Sequence, residues 1–155
     1  MPRSGRSVSN GQESGERAKK SENRQSGGIM RILIVWESGE VRAELDDTPT
    51  ARKIIEALPY ESRASTWGDE VYFSLPVVTT LEENAHDVVD PGTVCFWVEG
   101  SSLAIPFGPT PASRGDECRL VTKVNIVGTI VGDPKELASI RDGDPVRVEA
   151  VSHEL

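Results

Sequence analysis

Two short runs, residues 31–38 and 93–98, are apolar in both alternating registers, and this limits the folds open to the chain more than any other feature. In the first, Ile32, Ile34 and Trp36 oppose Leu33 and Val35; in the second, Val94, Phe96 and Val98 oppose Cys95 and Trp97. Strand side chains point alternately to the two faces, so such strands need apolar cover on both sides. The other runs alternate more cleanly. Residues 40–45 set Val41, Ala43 and Leu45 against Glu40, Arg42 and Glu44, and Ser38-Gly39 joins them to the first run as a hairpin. Residues 61–66 and 70–75 predict a second hairpin around Trp67-Gly68-Asp69, with Val71, Phe73 and Leu75 on one face and Glu70, Tyr72 and Ser74 on the other. Residues 77–90 are acidic and weakly patterned, a short strand with a connection. Residues 103–107, 121–131 and 146–150 complete seven or eight strands.

Two helical signals interrupt the strands. Thr48 caps and Pro49 suits the first helical position, Asp46 and Asp47 favour the positive end of the dipole, and Ala51, Ile54, Ile55 and Leu58 form one stripe before Pro59. Asp133-Pro134-Lys135-Glu136 begins a shorter helix with Leu137 and Ile140 inward, ended by Gly143. The sum is a mainly β domain closed as a barrel; an open sandwich satisfies the same pattern.

Residues 1–29 contain no aromatic residue and only Val8 and Ile29 as large aliphatics, too little apolar surface to offset the entropy of ordering. They are expected as a disordered tail, with 30–151 as the domain and 152–155 as a C-terminal tail. Six basic residues against three acidic ones give residues 1–29 a charge of +3 and leave −11 on the remainder of a chain of net charge −8. The basic residues are scattered, so a nucleic-acid arm is the weaker reading, and an acidic body is a poor match for phosphate backbones. No apolar signal segment and no window near the roughly 20 apolar residues of a membrane span occurs, so a cytoplasmic protein without a membrane partner is expected. Cys95 and Cys118 are too few for a disulfide framework, and with His86 and His153 they form no close pair, so neither metal nor cofactor is expected. Catalytic triads, carboxylate pairs and glycine-rich phosphate loops are missing too.

Candidate site residues gather around residues 105–117. Pro109 and Pro111 fix their own backbones and push Gly108 and Thr110 toward extended geometry, so the run is stiff. Rigid loops on a scaffold commonly carry binding and catalysis. Phe107 enters the loop, Thr110 and Ser113 offer hydroxyls to a ligand or brace the loop itself, and Arg114 brings a positive charge. Trp67 and Tyr72 each supply a flat ring with a polar handle. Tyr72, on a polar face, leans toward a site; Trp67, Trp36 and Trp97 read rather as packing.

At Arg63-Ala64-Ser65-Thr66-Trp67-Gly68-Asp69-Glu70-Val71-Tyr72-Phe73 and Phe107-Gly108-Pro109-Thr110-Pro111-Ala112-Ser113 the chain resembles the small cyclophilin-like proteins of bacteria and archaea, an atypical branch of the cyclophilin fold. The likeness runs from Met30 to Val151. It implies a closed eight-stranded β-barrel with two short capping helices. Cyclophilins isomerise the bond preceding proline by gripping the ring and favouring the twisted amide, with help from an arginine. The resemblance sets Arg63 at that arginine and Phe107 at an aromatic residue of the proline pocket. Glu61-Ser62 stands where the active enzymes carry Phe-His, and their Gly-Ser-Gln-Phe-Phe run has no counterpart. The function read from the sequence is therefore a binding module that holds a small molecule or an extended, proline-containing peptide in a groove formed by Arg63, Trp67, Tyr72, Phe107, Thr110, Ser113 and Arg114. The alternative is a weak prolyl isomerase that uses Arg63. The sequence leaves the oligomeric state open.

Overall fold

The structure, a computed structural model, describes residues 30–151. The expectations for residues 1–29 and 152–155 lie outside the described residues. Ten strands form an antiparallel sheet: β1 (Met30–Trp36), β2 (Gly39–Leu45), β3 (Tyr60–Arg63), β4 (Ser65–Thr66), β5 (Glu70–Ser74), β6 (His86–Val89), β7 (Thr93–Trp97), β8 (Ser102–Pro106), β9 (Cys118–Val131) and β10 (Pro145–Val151). Helix α1 (Pro49–Glu56) and a 3₁₀ helix (Pro134–Ser139) are the helical elements. The strand order is β3-β10-β1-β2-β9-β7-β8-β5-β4, with β6 paired to β9 off this path.

The two ends of that order are successive pieces of one segment. β3 pairs with β10, setting Tyr60 opposite Val148 and Arg63 opposite Pro145, while β4 pairs with β5 through Ser65–Tyr72 and Thr66–Val71. Between them Ala64 leaves both ladders: its N–H donates to Asp144 O at 2.9 Å, and its carbonyl accepts from Gly143 N at 2.7 Å. Counted as one stave, β3 and β4 bring the nine strands of that path, β6 left aside, to eight and make the barrel nearly closed. The Ser62 and Ser74 hydroxyls meet at 3.3 Å across the seam between β3 and β5. The sequence pattern predicts one continuous strand over 61–66 in a hairpin with 70–75; the break at Ala64 reduces that hairpin to two residue pairs.

Inside the barrel, alternate residues from every wall meet. Ile32, Ile34, Val71, Val94, Phe96, Ile105, Val127 and Val148 are fully buried, and Phe73 nearly so. The outer row of β1, Leu33 and Val35, is only half-buried, so the predicted double cover holds less fully there than at β7, where Cys95 is buried as well. Thr48 caps α1 by accepting from Ala51 N at 3.1 Å, and Ala51 and Ile54 are buried as their spacing predicts. The 3₁₀ helix starts at an Asp133 cap, buries Leu137 and receives the Trp36 indole N–H on Ser139 Oγ at 2.8 Å.

A polar cluster holds α1 to the barrel. Fully buried Asn125 donates Nδ2 to Thr50 Oγ1 at 3.0 Å and to Thr80 O at 2.9 Å, and its Oδ1 accepts from Glu82 N at 2.8 Å. Glu82 in turn accepts the Thr50 hydroxyl at 2.6 Å. Every buried polar group there has a partner, which lets it fix the connection over residues 77–85 without a desolvation penalty.

Candidate functional site

The site lies on the outer face of the barrel. β5 and β8 set Glu70 opposite Pro106 and Tyr72 opposite Ala104, and β7 sets Cys95 opposite the same Ala104. Because side chains alternate, Val71, Phe73, Leu103 and Ile105 turn inward, and Glu70, Tyr72, Ala104, Cys95 and Trp97 form an outward row. β9 covers part of this row. Its later residues pair with β7 and β2, but Cys118 to Val124 pair instead with β6. That half of β9 packs Leu120 and Val124 against Cys95 and Ala104.

Between row and cover lies a cavity of about 190 Å³. Trp67, Tyr72 and Trp97 supply aromatic walls, Ala104, Leu120, Val121 and Val124 supply aliphatic ones, and Glu70 is the charged group among the lining residues. The Tyr72 and Trp97 rings meet edge to face, with centroids 6.1 Å apart and planes at 89°. The favourable quadrupole contact fixes both rings.

Glu70 is 6% exposed, and its Oε1 is buried without a hydrogen-bond partner. Burial raises its pKa from 4.5 to about 7. A buried polar oxygen left unmatched costs roughly 1–3 kcal/mol, so nearly all such groups in native proteins are paired. Close to neutral pH this carboxyl can donate a proton in a hydrogen bond or present a negative charge. The free thiols of Cys95 and Cys118 are its buried titratable neighbours. Burial pushes both pKa values up, and the charge of Glu70 adds to the effect, so both remain protonated at neutral pH.

One end of the cavity is built by the two sequence motifs meeting. In the Trp67-Gly68-Asp69 turn, Trp67 N donates to Glu70 O at 3.0 Å, Asp69 N to Pro109 O at 2.9 Å, and Phe107 N to Asp69 O at 2.8 Å. Gly68 has φ +61°, and a Cβ there would lie 2.9 Å from Thr110 Cα and Pro111 Cδ. At Gly108 a Cβ would come within 2.5 Å of Asp69 Oδ2. Gly68 is thus required by its φ and by close backbone approach, a side chain at Gly108 would have to displace the Asp69 carboxylate, and the stiff loop serves to hold Trp67 and Glu70 in place.

The remaining candidates stand apart from the cavity. Thr110 is buried, its hydroxyl donates to Arg119 O, and its N–H donates to Ser113 Oγ at 2.9 Å. Ser113 Oγ donates in turn to Glu117 O at 2.5 Å. Both hydroxyls brace their own loop. Phe107 is half-buried and Arg114 exposed, and neither lines the cavity. Exposed Arg63 donates Nη1 to Gly143 O at 2.8 Å, while Glu61 pairs with Arg147 at 3.2 Å. Arg63 lines a separate, broad hollow of about 890 Å³ with Tyr60, Glu61, Ser74 and Arg147. Of the seven residues singled out from sequence, the structure brings Trp67 and Tyr72 together. Glu70 and Trp97 complete the site, although the sequence pattern places Glu70 only on a polar strand face with Tyr72 and Ser74 and reads Trp97 as packing.

A family model described as Cyclophilin-like matches residues 30–149. The chain belongs to the cyclophilin-like family. It is also similar to a hypothetical protein from Archaeoglobus fulgidus whose structure was determined in solution: identity is 40%, the TM-score is 0.70, and the match covers 81% of this chain and 97% of that one. No curated protein matches it. Among the described residues of this cyclophilin-like chain, no three His, Cys, Asp or Glu side chains gather as a metal site, and no helix is long and apolar enough to cross a membrane.

Proposed function

We propose that this cyclophilin-like domain is a binding module whose ligand enters the outer-face cavity rather than the neighbourhood of Arg63. One observation carries the reading: an unpaired, buried carboxyl oxygen on Glu70 stands in a cavity otherwise walled by aromatic and aliphatic groups. Ligand sites usually combine apolar walls with a few placed polar groups. At about 190 Å³ the cavity is below the roughly 300–1,000 Å³ of drug-sized sites. It admits one compact group, either a free small molecule or a single side chain of a peptide lying across the rim. Exposed Val121 stands at that rim. The isomerase alternative needs an arginine beside the bound amide, and Arg63 is engaged with Gly143 outside the cavity.

A fragment titration followed by methyl and indole NMR tests the proposal. Shifts are expected at Ala104, Leu120 and Val124 and at the Trp67 and Trp97 indoles, and Ala104→Leu, which fills the floor, is expected to abolish them. A fragment set that perturbs none of these signals, or perturbs them equally in the filled variant, overturns it.

A further inference from the structure

Resting on that reading, we infer that the group this cavity takes is a small methylated ammonium cation. Three aromatic residues, Trp67, Tyr72 and Trp97, line a space of about 190 Å³. A cation lodged against these residues would meet ring quadrupoles, which attract positive charge over roughly 6 Å. Glu70 supplies the one countercharge, and its Oε1 has no partner among the described residues. Among the described residues no lysine or arginine lines the cavity to compete for the carboxylate.

The remaining walls choose among cations. A compact primary ammonium is strongly hydrated and needs several acceptors on burial. Ala104, Leu120, Val121 and Val124 offer methyl groups instead. A methylated nitrogen carries its own apolar shell, which matches those walls and leaves the charge to Glu70 and the rings. The residues beyond the tail carry net charge −11, which favours approach of a cation over an anion. This placement reverses the charge preference that an arginine-lined groove would give.

The carboxyl must be ionised to act as countercharge. Its titratable neighbours are Tyr72 on its own strand, Asp69 in the preceding turn, Cys95 on β7 and Cys118 on β9. Both thiols are held protonated, so cation binding should strengthen between about pH 6 and pH 8 as Glu70 gives up its proton.

Calorimetric titration of the full chain with choline and with dimethylbutanol, its neutral carbon isostere, tests the inference, with the Trp67 and Trp97 indole signals recorded in parallel. Choline is expected to bind at least about tenfold tighter than the isostere. Glu70→Gln is expected to weaken choline by a similar factor and to leave the isostere within about twofold. A third arm, a short peptide bearing trimethyl-lysine, separates a free ammonium from a protein-borne one: tighter binding of either supports the shared chemistry and names its source. Equal or tighter binding of dimethylbutanol, with shifts at the cavity, overturns the cation while the binding module stands. Silence from all three probes at the cavity signals overturns the cation, and the fragment titration then decides the module separately.

Discussion

Replacing Glu70 by Gln should change how stability depends on pH, and the size of the change follows from the environment of the carboxyl. Burial raises its folded pKa from 4.5 to about 7. Because the folded value is the higher one, stability is fully present below about pH 4.5 and is lost as pH rises toward 7, where the unfolded chain ionises and the folded one resists. The loss is about 3 kcal/mol at roughly 1.4 kcal/mol per pH unit. Glutamine has nearly the same shape but no charge. Its amide also meets an unmatched position, so its stability is offset by a constant that does not vary with pH, and the diagnostic quantity is the slope. Guanidinium unfolding of both proteins at half-unit steps from pH 4 to pH 8 gives the difference directly. Other carboxylates titrate equally in the two and cancel. The wild type should lose about 3 kcal/mol relative to the variant over this range, with most of the loss between pH 5 and 7. A difference that stays flat within about 0.5 kcal/mol would refute the claim that Glu70 is buried and unpaired.

Three further outcomes are expected. Gly68→Ala should destabilise by about 1–3 kcal/mol and broaden the Trp67 indole signal, because the turn holds φ +61° and the new methyl meets Thr110 and Pro111; unchanged thermal unfolding would count against the motif contact. Asn125→Ala should cost about 2–4 kcal/mol by stranding the Thr80 carbonyl and the Glu82 amide, with Thr50→Ala in that background adding less than its effect alone; simple additivity in the double-mutant cycle would show that the network is not one unit. Arg63→Ala should change stability by less than about 1 kcal/mol and leave binding at the outer-face cavity within twofold, since Arg63 is exposed and faces another hollow; a large loss of cavity binding would return Arg63 to the site.

The fold was readable where period two and caps speak directly. Alternation assigned Val41, Ala43, Val71 and Phe73 to the interior, and Thr48-Pro49 and Asp133-Pro134 marked both helix starts at the right residues. What escaped was set by partners distant in sequence. The division at Ala64 depends on Gly143 and Asp144, nearly eighty residues away, and no local signal at Ala64 announces it. Glu70 shares a face with Tyr72, which the alternation showed, but its burial depends on the first half of β9. That half begins at Cys118, in a stretch whose composition reads as the end of a loop. The two motifs that carry the resemblance do touch, yet the loop's hydroxyls and Phe107 serve its own architecture, and the unpaired polar atom belongs to a buried glutamate within the first motif. A buried acid next to Trp67, on the same face as Tyr72, was the available clue.

The way the wall closes also governs where the molecule gives way. One short segment grips both margins of the cylinder, four residues on one side and two on the other, like a hasp across a gate. Unfastening it breaks few ladder pairs and uncovers a single small buried side chain, Ala64, so amides of residues 60–66 should exchange with solvent ahead of their neighbours, and the entrance beside Trp67 should loosen with them.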